Sequence, residues 1–92
     1  MATRQLKVTI ELWQKGKWFL ARIPELDFMA QGKSVDEAKK NLNEVVKIQF
    51  SEMKGLGTLS DYLAECGFHV EGDVIEPDTD IIGFEKHILQ VA

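Results

Sequence analysis

The chain of 92 residues is 45% hydrophobic and 28% charged, with a net charge of −4 and a single cysteine, Cys66. That composition is ordinary for one soluble domain with a modest core, and a lone cysteine excludes an internal disulfide framework, so the reducing cytoplasm is the expected compartment. No apolar run approaches the ~20 residues that span a bilayer, and Met1-Ala2-Thr3-Arg4-Gln5 lacks the apolar stretch of a signal peptide.

Leu6, Val8, Ile10 and Leu12 alternate with Lys7, Thr9, Glu11 and Trp13, the period of a half-buried strand. Gln14-Lys15-Gly16-Lys17 supplies a turn, and Trp18 to Ile23 returns as the second strand of a hairpin. A loop of two or four residues is expected to set Trp13 opposite Trp18, Leu12 opposite Phe19, Ile10 opposite Ala21 and Val8 opposite Ile23. One face is then wholly apolar, which fixes the register. The other carries Trp13, Trp18, Leu20 and Arg22 with Glu11 and Thr9, an amphipathic surface with two large aromatics at one end. Pro24 cannot donate to a ladder and ends the strand; Phe28 to Gly32 makes a short third one.

From Ser34 the period becomes helical. Gly32 and Ser34 punctuate the junction, and Ser34 with Glu37 forms a capping box: the hydroxyl accepts from the amide of Glu37, and the carboxylate from the amide of Ser34. Val35, Ala38, Leu42, Val45, Val46 and Met53 make an apolar stripe bordered by Phe50, with Asp36–Lys40 and Glu44–Lys47 pairs on the opposite face. Gly55 and Gly57 end this helix, whose ~30 Å suffices to cover a three-stranded sheet. Thr58 with Asp61 repeats the capping pattern for a short second helix with Leu59, Tyr62, Leu63 and Cys66 on one side; Gly67 suits a left-handed stop. Phe68-His69-Val70 reads as a strand and Pro77 as a loop marker. Ile81, Phe84, Ile88 and Val91 fit a helix, but β-branched content and Gly83 favour a C-terminal strand.

Charge is unevenly spread. Residues 1–54 have a balance of +3 and residues 55–92 a balance of −7, with Glu71, Asp73, Glu76, Asp78 and Asp80 falling in ten residues that contain no base. This run reads either as a solvated loop or as a docking surface for a basic partner, and it argues against phosphate binding there.

Chemistry-bearing patterns are sparse. Cys66-x-x-His69 offers two zinc ligands, but a structural site needs four, so no metal or other cofactor is expected. Ser34 and Ser60 hold cap positions, Ser51 lies on the polar side of the long helix, and no Gly-x-Ser-x-Gly elbow is present. Asp36-Glu37 and Asp78-x-Asp80 lack a pocket to raise a pKa, and Gly55-Leu56-Gly57 lacks the spacing and lysine of a phosphate loop. Lys7, Lys15, Lys17 and Arg22 with the two tryptophans resemble a nucleic-acid platform, but the partly apolar face and acidic net charge favour a covered protein surface.

Phe19-Leu20-Ala21-Arg22-Ile23-Pro24-Glu25-Leu26, followed by Ala30-Gln31-Gly32-Lys33-Ser34-Val35-Asp36-Glu37-Ala38, resembles the signature of the HicB-type antitoxin family over residues 6 to about 70. The resemblance implies a βββαβ, partial ribonuclease-H-like core and a non-enzymatic role: neutralising a small basic ribonuclease toxin, HicA. Asp27-Phe28-Met29 stands where the family often has Pro-Gly-Cys, and residues 68–92 are too short and acidic for the DNA-binding module that many members add.

The expectation is therefore an α+β single domain over 1–92, with core 6–70 and an acidic extension 71–92. It comprises a three-stranded antiparallel sheet with a long helix packed on one face, a short second helix and a C-terminal strand. The expected function is protein binding, to a HicA-like toxin and through homo-oligomerisation, without membrane or nucleic-acid partners. The alternative is a solitary HicB-like homo-oligomer, without a toxin, that recognises a small ligand; a degenerate nuclease or hydrolase ranks behind both. The expected contact residues are Trp13, Trp18, Leu20, Arg22, Glu71, Asp73, Glu76, Asp78 and Asp80; Pro24, Gly32, Ser34 and Glu37 are structural.

Overall fold

A computed structural model describes residues 5–91 and shows an α+β architecture. The elements are β1 (Gln5–Leu6), β2 (Glu11–Lys15), β3 (Trp18–Ile23), β4 (Phe28–Gly32), α1 (Val35–Leu56), α2 (Leu59–Glu65), β5 (Phe68–Glu71) and β6 (Val74–Pro77). The antiparallel sheet β2–β3–β4 carries α1 on one face, as expected. A second three-stranded sheet, β1–β6–β5, was not anticipated: β6 occupies residues read as loop, and β1 lies parallel to it.

The expected first strand is split. Gln5 and Lys7 donate to the carbonyls of Asp73 and Ile75 in the second sheet, and the chain then crosses over to β2. Thr9 leaves the ladder without an orphaned amide, because its N–H is shared between both carboxylate oxygens of Glu25 at 3.1 Å.

The β2–β3 turn closes on two residues, Gly16-Lys17, with Gly16 at φ 61°. Positive φ at the first central position alone is the pattern of a type II′ turn, whose twist suits a hairpin. Trp13 consequently pairs with Leu20 and not Trp18, and Leu12 pairs with Ala21, Glu11 with Arg22 and Lys15 with Trp18. The four-residue loop would have produced the expected pairs. A slip of two keeps each side chain on its face, so the inner and outer surfaces were assigned correctly although the partners were not.

The core consists of Ala21, Ile23, Leu26, Ala38, Leu42 and Phe68. The helix packs chiefly on β4 and β3. It does not shelter β2, and Leu12, on the helix-facing side, remains 52% exposed. The inner face is thus apolar as expected, but it is not fully covered.

The β4–α1 junction explains Gly32. A Cβ there would lie 2.7 Å from the Ala38 amide nitrogen and 2.9 Å from Glu37, so only glycine lets the first turn of α1 sit on the end of β4. Ser34 Oγ accepts from the Glu37 amide at 3.1 Å, whereas the Glu37 carboxylate accepts from Lys33, one residue before the expected amide. At the far end, Gly57 alone supplies the left-handed stop and Gly55 remains helical. The amides of Gly57 and Thr58 donate back to Lys54 and Met53, a Schellman closure. That closure holds Thr58 at φ −104°, ψ −3°, so the expected Thr58 side-chain cap on α2 does not form. On the polar side of α1, Asp36 lies 3.9 Å from Lys39 instead of pairing with Lys40, and the expected Glu44–Lys47 pair is not formed.

Residues 81–91 have no regular structure, contrary to the expected C-terminal strand. β-branched composition supports a strand only where a neighbouring edge accepts its ladder, and among the described residues no strand pairs with this segment. The radius of gyration, 15.6 Å, exceeds the about 12 Å of a compact chain of this length, reflecting a segment that stands off the body.

Candidate protein-binding surfaces

The outer face of β2–β3–β4 is built from cross-strand rows. Trp13, Leu20 and Gln31 form one, Glu11, Arg22 and Met29 the next, and Lys15 with Trp18 closes the turn end. Trp13 and Trp18 are 57% and 44% exposed, and Met29 is exposed beside them, while Leu20 is half-buried. Exposed aromatic and apolar side chains thus share this face with Glu11, Arg22, Lys15 and Gln31, the mixed composition of a surface that takes a protein partner.

Arg22 anchors the opposite end of that face. Its guanidinium lies 3.1 Å from both Asp27 Oδ1 and Glu11 Oε1. The hydrogen bond to Asp27, then the contacts with Glu11, push its already high pKa further up against partial desolvation. Asp27 reaches this position through a left-handed backbone, φ 57°, in the turn that follows Pro24 and ends β3 where expected. A guanidinium held by two carboxylates does not serve as a free phosphate ligand, which weakens the nucleic-acid reading of the hairpin.

The acidic run spans the β5–β6 hairpin and the segment that follows it. Glu71 ends β5, Asp73 lies in the two-residue turn with Gly72, Glu76 is half-buried in β6, and Asp78 and Asp80 follow that strand. Several of these acids gather around His69 of β5: Nδ1 meets Asp78 Oδ1 at 2.5 Å, Nε2 lies 3.9 Å from Glu71, and Glu76 is its register partner. These acids thus belong to the second sheet, on different strands from the tryptophan face. Cys66 is half-buried against the core, as expected of a small apolar side chain.

Phe28 joins the layers. Its ring lies 6.0 Å from Phe50 and 6.1 Å, nearly parallel, from Tyr62, whose hydroxyl donates to the Leu26 carbonyl at 2.7 Å. Desolvation, then Cys66, pushes the Tyr62 phenol up to about 12. These contacts are structural.

A cleft of about 280 Å³ lies between the β1–β2 crossover and the start of the C-terminal segment, lined by Lys7, Thr9, Glu25, Asp80 and Ile81 among others. Glu25 is committed to the Thr9 amide there. Among the described residues, no three His, Cys, Asp or Glu side chains are placed to share a metal ion, and no helix is long and apolar enough to cross a membrane.

Alternation in the sequence placed Trp13, Trp18, Leu20 and Arg22 on the outer face, but it anticipated neither Met29 beside them nor the second sheet. The Gly72-Asp73 dipeptide between Val70 and Val74 is a hairpin signal of the same kind as Gly16-Lys17, and it could have revealed β6. No family model, curated protein or solved structure matches this chain.

Proposed function

We propose that this protein is a non-catalytic protein-binding module that acts as a HicB-like antitoxin, sequestering a small basic ribonuclease of the HicA type in the cytoplasm. The observation that carries the binding role is the exposed apolar face around Trp13, Trp18 and Met29, with Leu20 at its centre. Two aromatic anchors on a rigid sheet are the usual core of a binding hot spot. The net charge of −4 favours a basic partner through long-range attraction. The motif from Phe19 to Ala38 supplies the resemblance that narrows the partner to a HicA-like toxin.

Co-expression with a HicA-like ribonuclease tests this reading. A stable complex and suppressed RNA cleavage are expected, and Trp13→Ala with Trp18→Ala should weaken the complex by about 100-fold without unfolding the domain. Full ribonuclease activity in the presence of excess unsubstituted protein would overturn the antitoxin role.

A further inference from the structure

We propose that residues 81–91 form a self-association arm, which pairs as an added strand with the exposed β2 edge of a second copy while that copy's arm pairs in return. The arm is apolar and uncovered: Ile82, Ile88, Leu89 and Val91 are almost fully exposed, and Phe84 largely so. Read as a strand, it places Ile82, Phe84 and Ile88 on one face and Ile81, Leu89 and Val91 on the other. Each face also carries polar side chains, Lys86 and Gln90 on the first and Glu85 and His87 on the second, so the apolar ones gather towards the two ends of the arm, at 81–84 and 88–91.

The β2 edge has matching properties. It is the outermost strand of its sheet, so one side of its backbone lacks a ladder partner. Leu12 is exposed on the helix-facing side and Trp13 on the outer side, with Ile10 just before the strand also exposed. No proline interrupts it. The opposite edge, β4, is instead flanked by α1. Lys15 and Lys17 at the β2–β3 turn are opposite in charge to Asp80 at the root of the arm and Glu85 within it, and Glu11 of β2 is opposite to Lys86 of the arm.

Among the described residues, the arm's own body gives these apolar side chains little cover: its root runs along the cleft at Lys7 and Thr9, and Ile82, Phe84, Ile88, Leu89 and Val91 remain largely or fully exposed. Two exchanged arms and the surfaces they cover come to roughly 2,000 Å² at the ~60–120 Å² per apolar side chain implied by transfer energies, within the range of a stable dimer. Backbone pairing would supply most of the orientation, as in other strand additions. This inference does not rest on the antitoxin reading, since it concerns a second copy alone.

Light scattering and sedimentation of the full chain between 1 and about 100 μM test the proposal. A mass of twice 10.4 kDa is expected, with amide exchange slowed at both β2 and residues 82–90 as the dimer forms. Ile82→Asp with Ile88→Asp, at exposed positions that cannot disrupt the core, should yield a monomer in which both protections disappear together. Ile48→Asp, at an exposed position of α1, should leave the dimer intact. A monomer throughout the concentration range overturns the proposal, as does a dimer that survives the double substitution. A monomer with a protected arm would identify intramolecular docking and also overturn it.

Discussion

The two sheets of this protein are held in different ways. β2–β3–β4 rests on α1, and five of the six core side chains, Ala21, Ile23, Leu26, Ala38 and Leu42, belong to that sheet, its β3–β4 turn or the helix. β1–β6–β5 has no long helix of its own and contributes one buried side chain, Phe68, with Leu6 and Ile75 packed partly against the core. Its strands are two to four residues long and depend on their ladder and the α2 contact. The difference is physical: the first sheet is stabilised by apolar burial, whereas the second relies largely on backbone hydrogen bonds, each of modest net value in water. The second sheet should therefore open first, and the uncovered arm emerges from that weaker region.

The largest expected effect lies in the first region. Leu42→Ala removes the largest fully buried side chain and should cost about 4 kcal/mol, lowering the urea midpoint of the whole domain. Phe68→Ala should cost about 3 kcal/mol, but amide exchange should show the loss concentrated in β1, β5 and β6. Equal loss of protection in β3 and β4 would mean that the sheets form one cooperative unit, and the contrast would fail.

Gly32→Ala forces a Cβ against Ala38 and Glu37 and should cost about 2 kcal/mol at the β4–α1 junction. A thermal melt unchanged from the parent would show that the junction can relax. Tyr62→Phe has the smallest effect, about 1 kcal/mol for the hydrogen bond to Leu26, because the ring can still stack on Phe28. It also carries a pH signature. The Tyr62 pKa rises from 10.0 to about 12 on folding, so the folded state holds this proton more tightly. Its stabilisation is fully present below pH 10 and lost as pH rises through about 12; the phenylalanine variant should lack that component of alkaline destabilisation. Identical pH dependence in the two proteins would remove Tyr62 from that role.

Legibility followed the range of the interactions. β3 and β4 match their expected limits because Pro24 and Gly32 are local stops, and the Ser34 cap forms because the hydroxyl is three residues from its donor. The tryptophan face was legible because alternation assigns faces whatever the register. The Trp13–Trp18 pair was wrong because a two-residue and a four-residue loop give different partners with the same face pattern. Thr58 was misread because the closure of α1 had already set its backbone. β6 was hidden because its acids look like a solvated loop until β5 and β1 pair with it.

By itself the sequence determined the central α+β unit: a hairpin with one apolar and one aromatic face, a third strand, and a capped amphipathic helix. Those features depend on side-chain period and on contacts a few residues apart. Only the tertiary structure decided that β1 would leave the first sheet to join β6, that α1 would leave β2 uncovered, and that residues 81–91 would take no regular structure. Those outcomes depend on which distant backbone edges and surfaces meet, and local spacing does not encode that.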